Sequence, residues 1–157
     1  MTVPDSADRT VVLASDHAGA ELCADLLVFL KERGIATEDW GPEAGLSVDY
    51  PDFAAKVAHA VAAGQFRFGL LVCGTGIGMS IAANKVAGIR AALCTTEFEA
   101  RMARAHNDAN VLCLGQRVVG SGLARAMLEA FLAQPFEAGR HAGRVEKIRS
   151  LEGSKPS

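Results

Sequence analysis

Short apolar segments alternate with amphipathic segments along the whole of this chain. The apolar segments predict strands at residues 10–15, 35–40, 69–73, 90–94 and 111–114. The third of them, GLLVC, has no polar alternation, which is typical of a strand buried on both faces. Strands that are separated by helices do not pair as hairpins, so we expect a parallel sheet with helices on each side. The sequence therefore predicts a doubly wound α/β sandwich.

The segments between the strands carry apolar residues at helical spacing. They predict helices at residues 18–33, 51–63, 79–86, 97–105 and 123–133 and a last helical stretch at 145–151. In the helix at 97–105 the spacing places Phe98, Met102 and Ala105 toward the core. Half of the 157 residues are hydrophobic, which is enough for one core. We expect a single domain at 10–152, a flexible leader at 1–9 and a flexible tail at 153–157.

Charge and composition exclude several classes of partner. The 16 basic and 18 acidic residues leave a net charge of −2, and only 6% of residues are aromatic. Neither feature suits nucleic acid, which is bound by basic surfaces and stacking aromatic rings. No apolar run approaches the roughly 18 residues of a membrane-spanning helix. The four cysteines form no C-x-x-C pair, and no signal peptide precedes the first strand, so we expect reduced thiols and a cytoplasmic protein.

A glycine-rich segment, CGTGIGMS at residues 73–80, joins the third strand to the next helix. In open parallel sheets ligands bind at the carboxyl ends of strands, and glycines let backbone N–H groups surround an anion there. The alternative is a tight turn that needs small residues for packing. The G-x-G-x-G spacing does not fit the dinucleotide fingerprint, and no G-K-[ST] follows.

Cys73 stands at the start of this glycine segment. A helix N-terminus and free N–H donors both favour a thiolate, which serves as a nucleophile or as a base. The alternative is a small buried residue that fills space, as we expect for Cys23, Cys94 and Cys113. A phosphatase pattern would need arginine six residues on, where the chain has Met79.

Two polar pairs are further candidates. His106 and Asn107 end a helix, where the dipole favours a protonated imidazole, or they form a plain helix cap with Asn107 in the left-handed conformation. Asp16 and His17 follow the first strand, where they could bind hydroxyls and phosphate, or Asp16 could simply cap the next helix.

Arg140 and Arg144 are spaced four residues apart, which places them on one face if this segment is helical. Two guanidinium groups on one face suit a phosphate. A solvated arginine pair is the alternative, and no local feature of the sequence decides between the two.

Several motifs, taken in order, resemble the type B ribose-5-phosphate isomerases of the ribose/galactose phosphate isomerase family. They are DHAG at 16–19, DYP at 49–51, CGTGIG at 73–78, NK at 84–85, GIRA at 88–91, HNDAN at 106–110, GQRVV at 115–119, GRH at 139–141 and RV at 144–145. The resemblance implies a Rossmann-like three-layer α/β/α sandwich with a five-stranded parallel sheet. It also implies an aldose-ketose isomerase that acts on a sugar phosphate without metal or organic cofactor.

The resemblance assigns roles residue by residue. The catalytic residues would be Cys73 as the base that forms a cis-enediolate, His106 for opening the sugar ring, and Thr75 as its assistant. The substrate-binding residues would be Asp16, His17, Tyr50, Gly74, Gly76, Gly78, Ser80, Asn107, Arg117, Arg140 and Arg144. Among these, Asp16 and Tyr50 would contact hydroxyls, and the phosphate would be held by His17, Arg140 and Arg144, with Arg117 a further contributor. A family branch with a glutamate base later in the loop is not indicated, because Met79 and Ser80 stand there.

The resemblance further implies a homodimer or homotetramer whose sites are shared between subunits. The leading function is interconversion of ribose 5-phosphate and ribulose 5-phosphate. One alternative is the same chemistry on a tetrulose, allose or galactose phosphate, because the sequence does not give the distance from Cys73 to the arginines. A second alternative is a phosphate-binding module without catalysis.

Overall fold

The computed structural model describes residues 10–153. The elements are β1 (Val11–Ser15), α1 (Ala20–Glu32), β2 (Thr37–Asp39), α2 (Tyr50–Ala62), β3 (Phe68–Cys73), α3 (Ile77–Ala83), β4 (Ala91–Leu93), α4 (Glu97–Asn107), β5 (Val111–Gly115), α5 (Ser121–Ala133) and α6 (Arg140–Arg149), with a 3₁₀ turn at His17–Gly19. The predicted leader at 1–9 and residues 154–157 of the predicted tail lie outside the described residues.

The five strands form one parallel sheet in the order β2-β1-β3-β5-β4. Helices α1, α4 and α5 pack on one face, and α2 and α3 pack on the other. The central strand β3 is buried along its whole length, as its apolar sequence predicts. The predicted α/β/α sandwich with a five-stranded parallel sheet is therefore confirmed.

The strand order places a topological switch point at β1 and β3. The chain leaves β1 toward β2 on one side and leaves β3 toward β5 and β4 on the other. The loops that follow two such strands diverge and leave a crevice at the carboxyl edge of the sheet. Asp16 and Cys73 stand at this crevice, because they follow β1 and end β3.

Two details of the predicted helices are wrong. Ala105 is buried as predicted, but Phe98 points to solvent with 67% of its surface exposed. Helix α4 also buries Ala100 and Ala103, whose small side chains let it lie close to α5. The last helix begins at Arg140, five residues before the predicted start. Its first turns carry no apolar stripe, since His141 is the buried residue there, so hydrophobic spacing did not reveal them.

Within residues 10–153, no helix combines the length and the apolar character that crossing a membrane requires.

Candidate active site

The predicted site residues fall into two groups at opposite edges of the sheet. The carboxyl-edge group consists of Asp16, His17, Tyr50, Cys73, Gly74, Thr75, Gly76, Gly78, Ser80 and Arg117. The amino-edge group consists of His106, Asn107, Arg140 and Arg144. Helix α4 runs back across the sheet, so its end lies beside the start of β5, which spans about 17 Å at 3.3 Å per residue. One chain therefore does not bring the two groups together.

Cys73 is the last residue of β3 and is 5% exposed. The N–H of Gly76 donates a hydrogen bond to its Sγ at 3.1 Å. Gly76 has a φ of +79°, a left-handed conformation that turns its N–H back toward the strand and starts α3. A donor aimed at sulfur stabilises a thiolate more than a thiol. The geometry therefore suits Cys73 to act as a base.

The glycine segment rests against the end of β5. A Cβ on Gly115 would lie 2.5 Å from the backbone of Thr75. Gln116 N–H donates to the Cys73 carbonyl at 2.9 Å, and Arg117 N–H donates to the Gly74 carbonyl at 3.0 Å. The packing interpretation of these small residues is thus also correct, because close backbone contact holds the loop that carries the sulfur.

Two hydroxyls in the glycine segment are engaged within α3. Thr75 Oγ1 accepts a hydrogen bond from Ile77 N–H at 3.3 Å, and Ser80 Oγ donates one to the Ile77 carbonyl at 2.7 Å. The N–H of Gly78 lies in the first turn of α3, where backbone donors have no partner within the helix. The Thr75 O–H therefore remains a donor, and the loop offers it to a ligand together with backbone N–H groups such as that of Gly78.

Two large side chains lie on the glycines of this loop. A Cβ on Gly78 would fall 2.4 Å from Tyr50 Cζ, so the Tyr50 ring rests directly on that residue. A Cβ on Gly74 would fall 3.3 Å from an Arg117 guanidinium nitrogen. Because Gly74 and Gly78 have no side chains, the Arg117 guanidinium group and the Tyr50 ring can lie directly against the loop that follows Cys73.

Asp16 caps the 3₁₀ turn, as the alternative interpretation of the sequence predicts. Its Oδ1 accepts hydrogen bonds from Ala18 N–H at 3.0 Å and Gly19 N–H at 3.1 Å. Its Oδ2 takes part in neither bond. His17 Nδ1 accepts a hydrogen bond from Val48 N–H at 3.4 Å, which leaves the ring proton on Nε2 as a donor. Both residues are thus positioned and keep a polar atom for a ligand.

At the amino edge the His106 ring stacks on the ring of His141, with centroids 4.1 Å apart and planes 12° apart. Glu137 Oε2 lies 4.0 Å from His106 Nε2 and 3.9 Å from His141 Nε2. Glu137 and His141 are not among the predicted site residues. Their spacing of four residues is a signal that could have drawn attention to them.

Burial lowers the pKa of His141, and the neighbouring His106, Arg140 and Arg144 lower it further, while Glu137 opposes the shift. The cause is that a positive charge on His141 would be poorly solvated and would lie among other cations. His141 is therefore held toward its neutral form.

The end of α4 is fixed by a pair of arginines. Asp108, not Asn107, adopts the left-handed conformation, with φ of +47°. Its carboxylate pairs with Arg104 at 2.8 Å and with Arg90 at 3.3 Å. Arg90 Nε also donates to the Asn107 carbonyl at 2.9 Å. The alternative of a left-handed cap at Asn107 is wrong, since Asp108 holds that position and its carboxylate binds both guanidinium groups.

The other three cysteines lie in the hydrophobic core. Burial raises the pKa of Cys23 and of Cys94 to about 12, with smaller contributions from nearby carboxylates, Asp39 and Glu99 respectively. Burial also raises the pKa of Cys113, which is fully enclosed. These thiols stay protonated at neutral pH, as expected of residues that fill space.

Comparisons with known proteins agree along nearly the whole chain. A family model described as Ribose/Galactose Isomerase matches residues 11–148. Ribose-5-phosphate isomerase B of Escherichia coli is 45% identical over 144 residues, covering 92% of this chain and 97% of the relative. D-erythrulose-4-phosphate isomerase of Pectobacterium atrosepticum is 41% identical, covering 91% and 95%. The structure of Clostridium thermocellum ribose-5-phosphate isomerase B gives a TM-score of 0.89 at 51% identity, covering 90% and 96%.

The match to the family model starts at the first residue of β1 and ends within α6. It therefore spans the whole sheet and both groups of candidate site residues. The solved relative covers 90% of the chain, about the same share as the family model, at 51% identity. The chain belongs to the ribose/galactose isomerase family.

Proposed function

We propose that this chain is an aldose-ketose isomerase that interconverts ribose 5-phosphate and ribulose 5-phosphate through a cis-enediolate. The observation that carries the proposal is the sulfur of Cys73, which ends the central strand and accepts the Gly76 N–H at 3.1 Å. Family membership supports the reaction class, and relatives named ribose-5-phosphate isomerase B support the substrate.

The reaction needs a base that moves one proton between adjacent carbons. The Cys73 thiolate removes the proton from C2 of the open-chain aldose and returns it to C1, while the hydroxyl proton on O2 passes to O1. The negative enediolate oxygen between these steps is stabilised by N–H groups of the loop from Gly74 to Ser80, together with Asn107. Such donors act where charge develops, so they lower the barrier rather than only binding the substrate.

The substrate must first open from its ring form. His106 exchanges the protons that break the ring C–O bond, and Thr75 assists it. Asp16 and Tyr50 bind sugar hydroxyls at the carboxyl edge, where the free Oδ2 of Asp16 is available as an acceptor.

The phosphate is held by N–H donors from both edges. His17 offers Nε2–H at the carboxyl edge, where Arg117 adds a guanidinium group. Arg140 and Arg144 stand on the first turns of α6 at the amino edge. Their guanidinium groups suit the planar pairs of oxygens on a phosphate.

Because the two edges of one chain lie about 17 Å apart, a second copy must supply one of them. We propose a homodimer or homotetramer in which the amino edge of one subunit covers the carboxyl edge of its partner. Exposed apolar side chains beside the glycine loop, Ile77 and Ile81 on α3, support this arrangement because a partner would bury them.

The decisive test follows proton exchange at C2 of ribose 5-phosphate by NMR in heavy water. The wild type is expected to isomerise the sugar, and Cys73→Ala is expected to bind it without exchange. Cys94→Ala is the matched control, because that cysteine lies at the end of β4 and has no role in the reaction. Normal exchange in Cys73→Ala would contradict the assignment, and binding without turnover by the wild type would favour a phosphate-binding module.

A second substrate is favoured by one comparison, the D-erythrulose-4-phosphate isomerase that is 41% identical. The same exchange assay with a four-carbon ketose phosphate separates the two. A higher kcat/KM on the four-carbon sugar would replace ribose 5-phosphate as the assigned substrate.

A further inference from the structure

Three groups that commonly bind metal ions meet at the amino edge. His106, Glu137 and His141 each place one ligating atom within 4.8 Å of the other two. The Glu137 carboxylate is 3.9–4.0 Å from both imidazole Nε2 atoms, which is too long for a direct hydrogen bond. The carboxylate thus binds neither imidazole directly, although all three ligating atoms lie close together.

The separations are close to those around a bound ion. Zinc lies about 2.1 Å from nitrogen and oxygen ligands, so ligand atoms in a tetrahedral site stand about 3.4 Å apart. The Glu137 and His106 side chains are 52% and 38% exposed, whereas His141 is held with 9% exposed. The Glu137 oxygen stands roughly 0.5 Å farther than this from each imidazole nitrogen. The three ligating atoms lie within 4.8 Å of one another, so binding an ion requires the exposed His106 and Glu137 side chains to rotate toward the buried His141.

The surrounding charges select the kind of ion. Arg140 and Arg144 lie beside His141 on α6 and repel any cation that binds through charge alone. Two imidazoles and one carboxylate favour Zn²⁺, Ni²⁺ or Cu²⁺ over Mg²⁺ and Ca²⁺.

We propose that His106, Glu137 and His141 form a site for a transition-metal dication such as Zn²⁺, and that its occupation reversibly inhibits the enzyme. The inhibition rests on the proposed function, in which His106 exchanges protons with the sugar ring. A metal ion on His106 Nε2 blocks that exchange, because the nitrogen no longer has a free lone pair. The binding itself does not depend on the reaction.

Binding is measured with untagged, full-length protein by equilibrium dialysis against Zn²⁺ in a buffer that does not chelate. We expect one zinc ion per chain, undisturbed by excess Mg²⁺. Loss of an outer-shell partner alone costs about 10–100-fold in metal affinity, so Glu137→Gln and His141→Asn are each expected to weaken binding at least tenfold. His59→Asn, at an exposed position on α2, is the matched control and should bind as the wild type does.

Unchanged zinc affinity in both Glu137→Gln and His141→Asn would overturn the site. The site would also be overturned by a thiolate-to-metal charge-transfer band that the Co²⁺-loaded protein shows and His141→Asn retains. Such a band would mean that a cysteine ligates the ion. Zinc is also expected to inhibit the isomerase. The zinc concentration that halves the rate, measured against each protein's own metal-free rate, should be about tenfold higher for Glu137→Gln than for the wild type. A chelator should restore activity.

Zinc binding that leaves the isomerase rate unchanged would overturn the proposal that the bound ion inhibits the enzyme. Zinc binding as expected by a protein with no isomerase activity would support the metal site and would instead overturn the proposed function.

Discussion

The two edges of the sheet build their parts of the site in different ways. At the carboxyl edge the positions are set by backbone, since Gly76 N–H contacts Cys73 and Gly115 lies against Thr75. At the amino edge they are set by side chains, since the His106 and His141 rings stack beside a carboxylate. Backbone contacts fix the position of a group closely, whereas exposed side chains respond to pH and to ions. A base such as Cys73 needs a closely fixed position. Residues that bind phosphate or open the sugar ring can be held by side chains alone.

Complementation between two inactive variants tests whether the two edges of the sheet form one active site. Cys73→Ser and His106→Asn are each expected to be inactive, but a mixture refolded together should recover activity. If each site takes Cys73 from one subunit and His106 from the other, random pairing makes about a quarter of all sites intact, so about a quarter of the wild-type rate is expected. The measurement is kcat of the mixture against each variant alone. No recovery would mean that the edges do not combine across subunits.

Alkylation distinguishes the Cys73 environment from the core. Iodoacetamide is expected to modify Cys73 at least about 100-fold faster than Cys23 or Cys94 at pH 8, because burial raises the pKa of both to about 12 and leaves them protonated. Mass-spectrometric footprinting of the native protein over time gives the four rates. Equal rates would remove the support for Cys73 as the base.

The dependence of the carboxyl edge on backbone is tested at Gly115. Gly115→Ala places a Cβ 2.5 Å from the Thr75 backbone, so the glycine loop must shift. A misplacement of this size is expected to lower kcat about tenfold to 100-fold, with a stability loss of about 1–3 kcal/mol. Gly122→Ala is the control, because nothing lies within 4 Å of a Cβ there. Rates and urea unfolding of the two variants are compared, and a fully active Gly115→Ala would show that the loop tolerates movement.

The pH response of the amino edge gives the smallest effect. The folded protein holds the pKa of His141 below its usual range, so the unfolded chain binds the proton more readily. The contribution of neutral His141 to stability is therefore present above about pH 6.5, the usual histidine pKa, and is lost as pH falls below it. We expect the Tm difference between wild type and His141→Gln to shrink from pH 8 to pH 5.5. A difference that grows at low pH would contradict this sign.

The features of the fold that follow from repeated patterns can be predicted from the sequence. Alternation predicted all five strands, and the apolar run at β3 predicted the buried centre of the sheet. The glycine segment and Cys73 could be found because a loop after a buried strand has a defined place in a parallel sheet.

Features that depend on packing between distant parts of the chain cannot be predicted from the sequence. The inward face of α4 depends on how closely α5 approaches, so Phe98 was misplaced. Glu137 and His141 cannot be recognised as site residues from the sequence, because His106, which they approach, lies on another helix, α4. The cap at Asp108 depends on Arg90, which is eighteen residues earlier in the chain.

Tyr50, whose ring rests on Gly78, is the chain's single tyrosine, and Trp40, which meets the ring of Phe66 edge-to-face, is its single tryptophan. The protein therefore carries a built-in optical reporter on the glycine loop, Tyr50, and a second one, Trp40, that contacts Phe66. Difference absorbance of the tyrosine would register a sugar arriving beside the glycine loop, and tryptophan fluorescence would report the state of the remaining fold in the same sample.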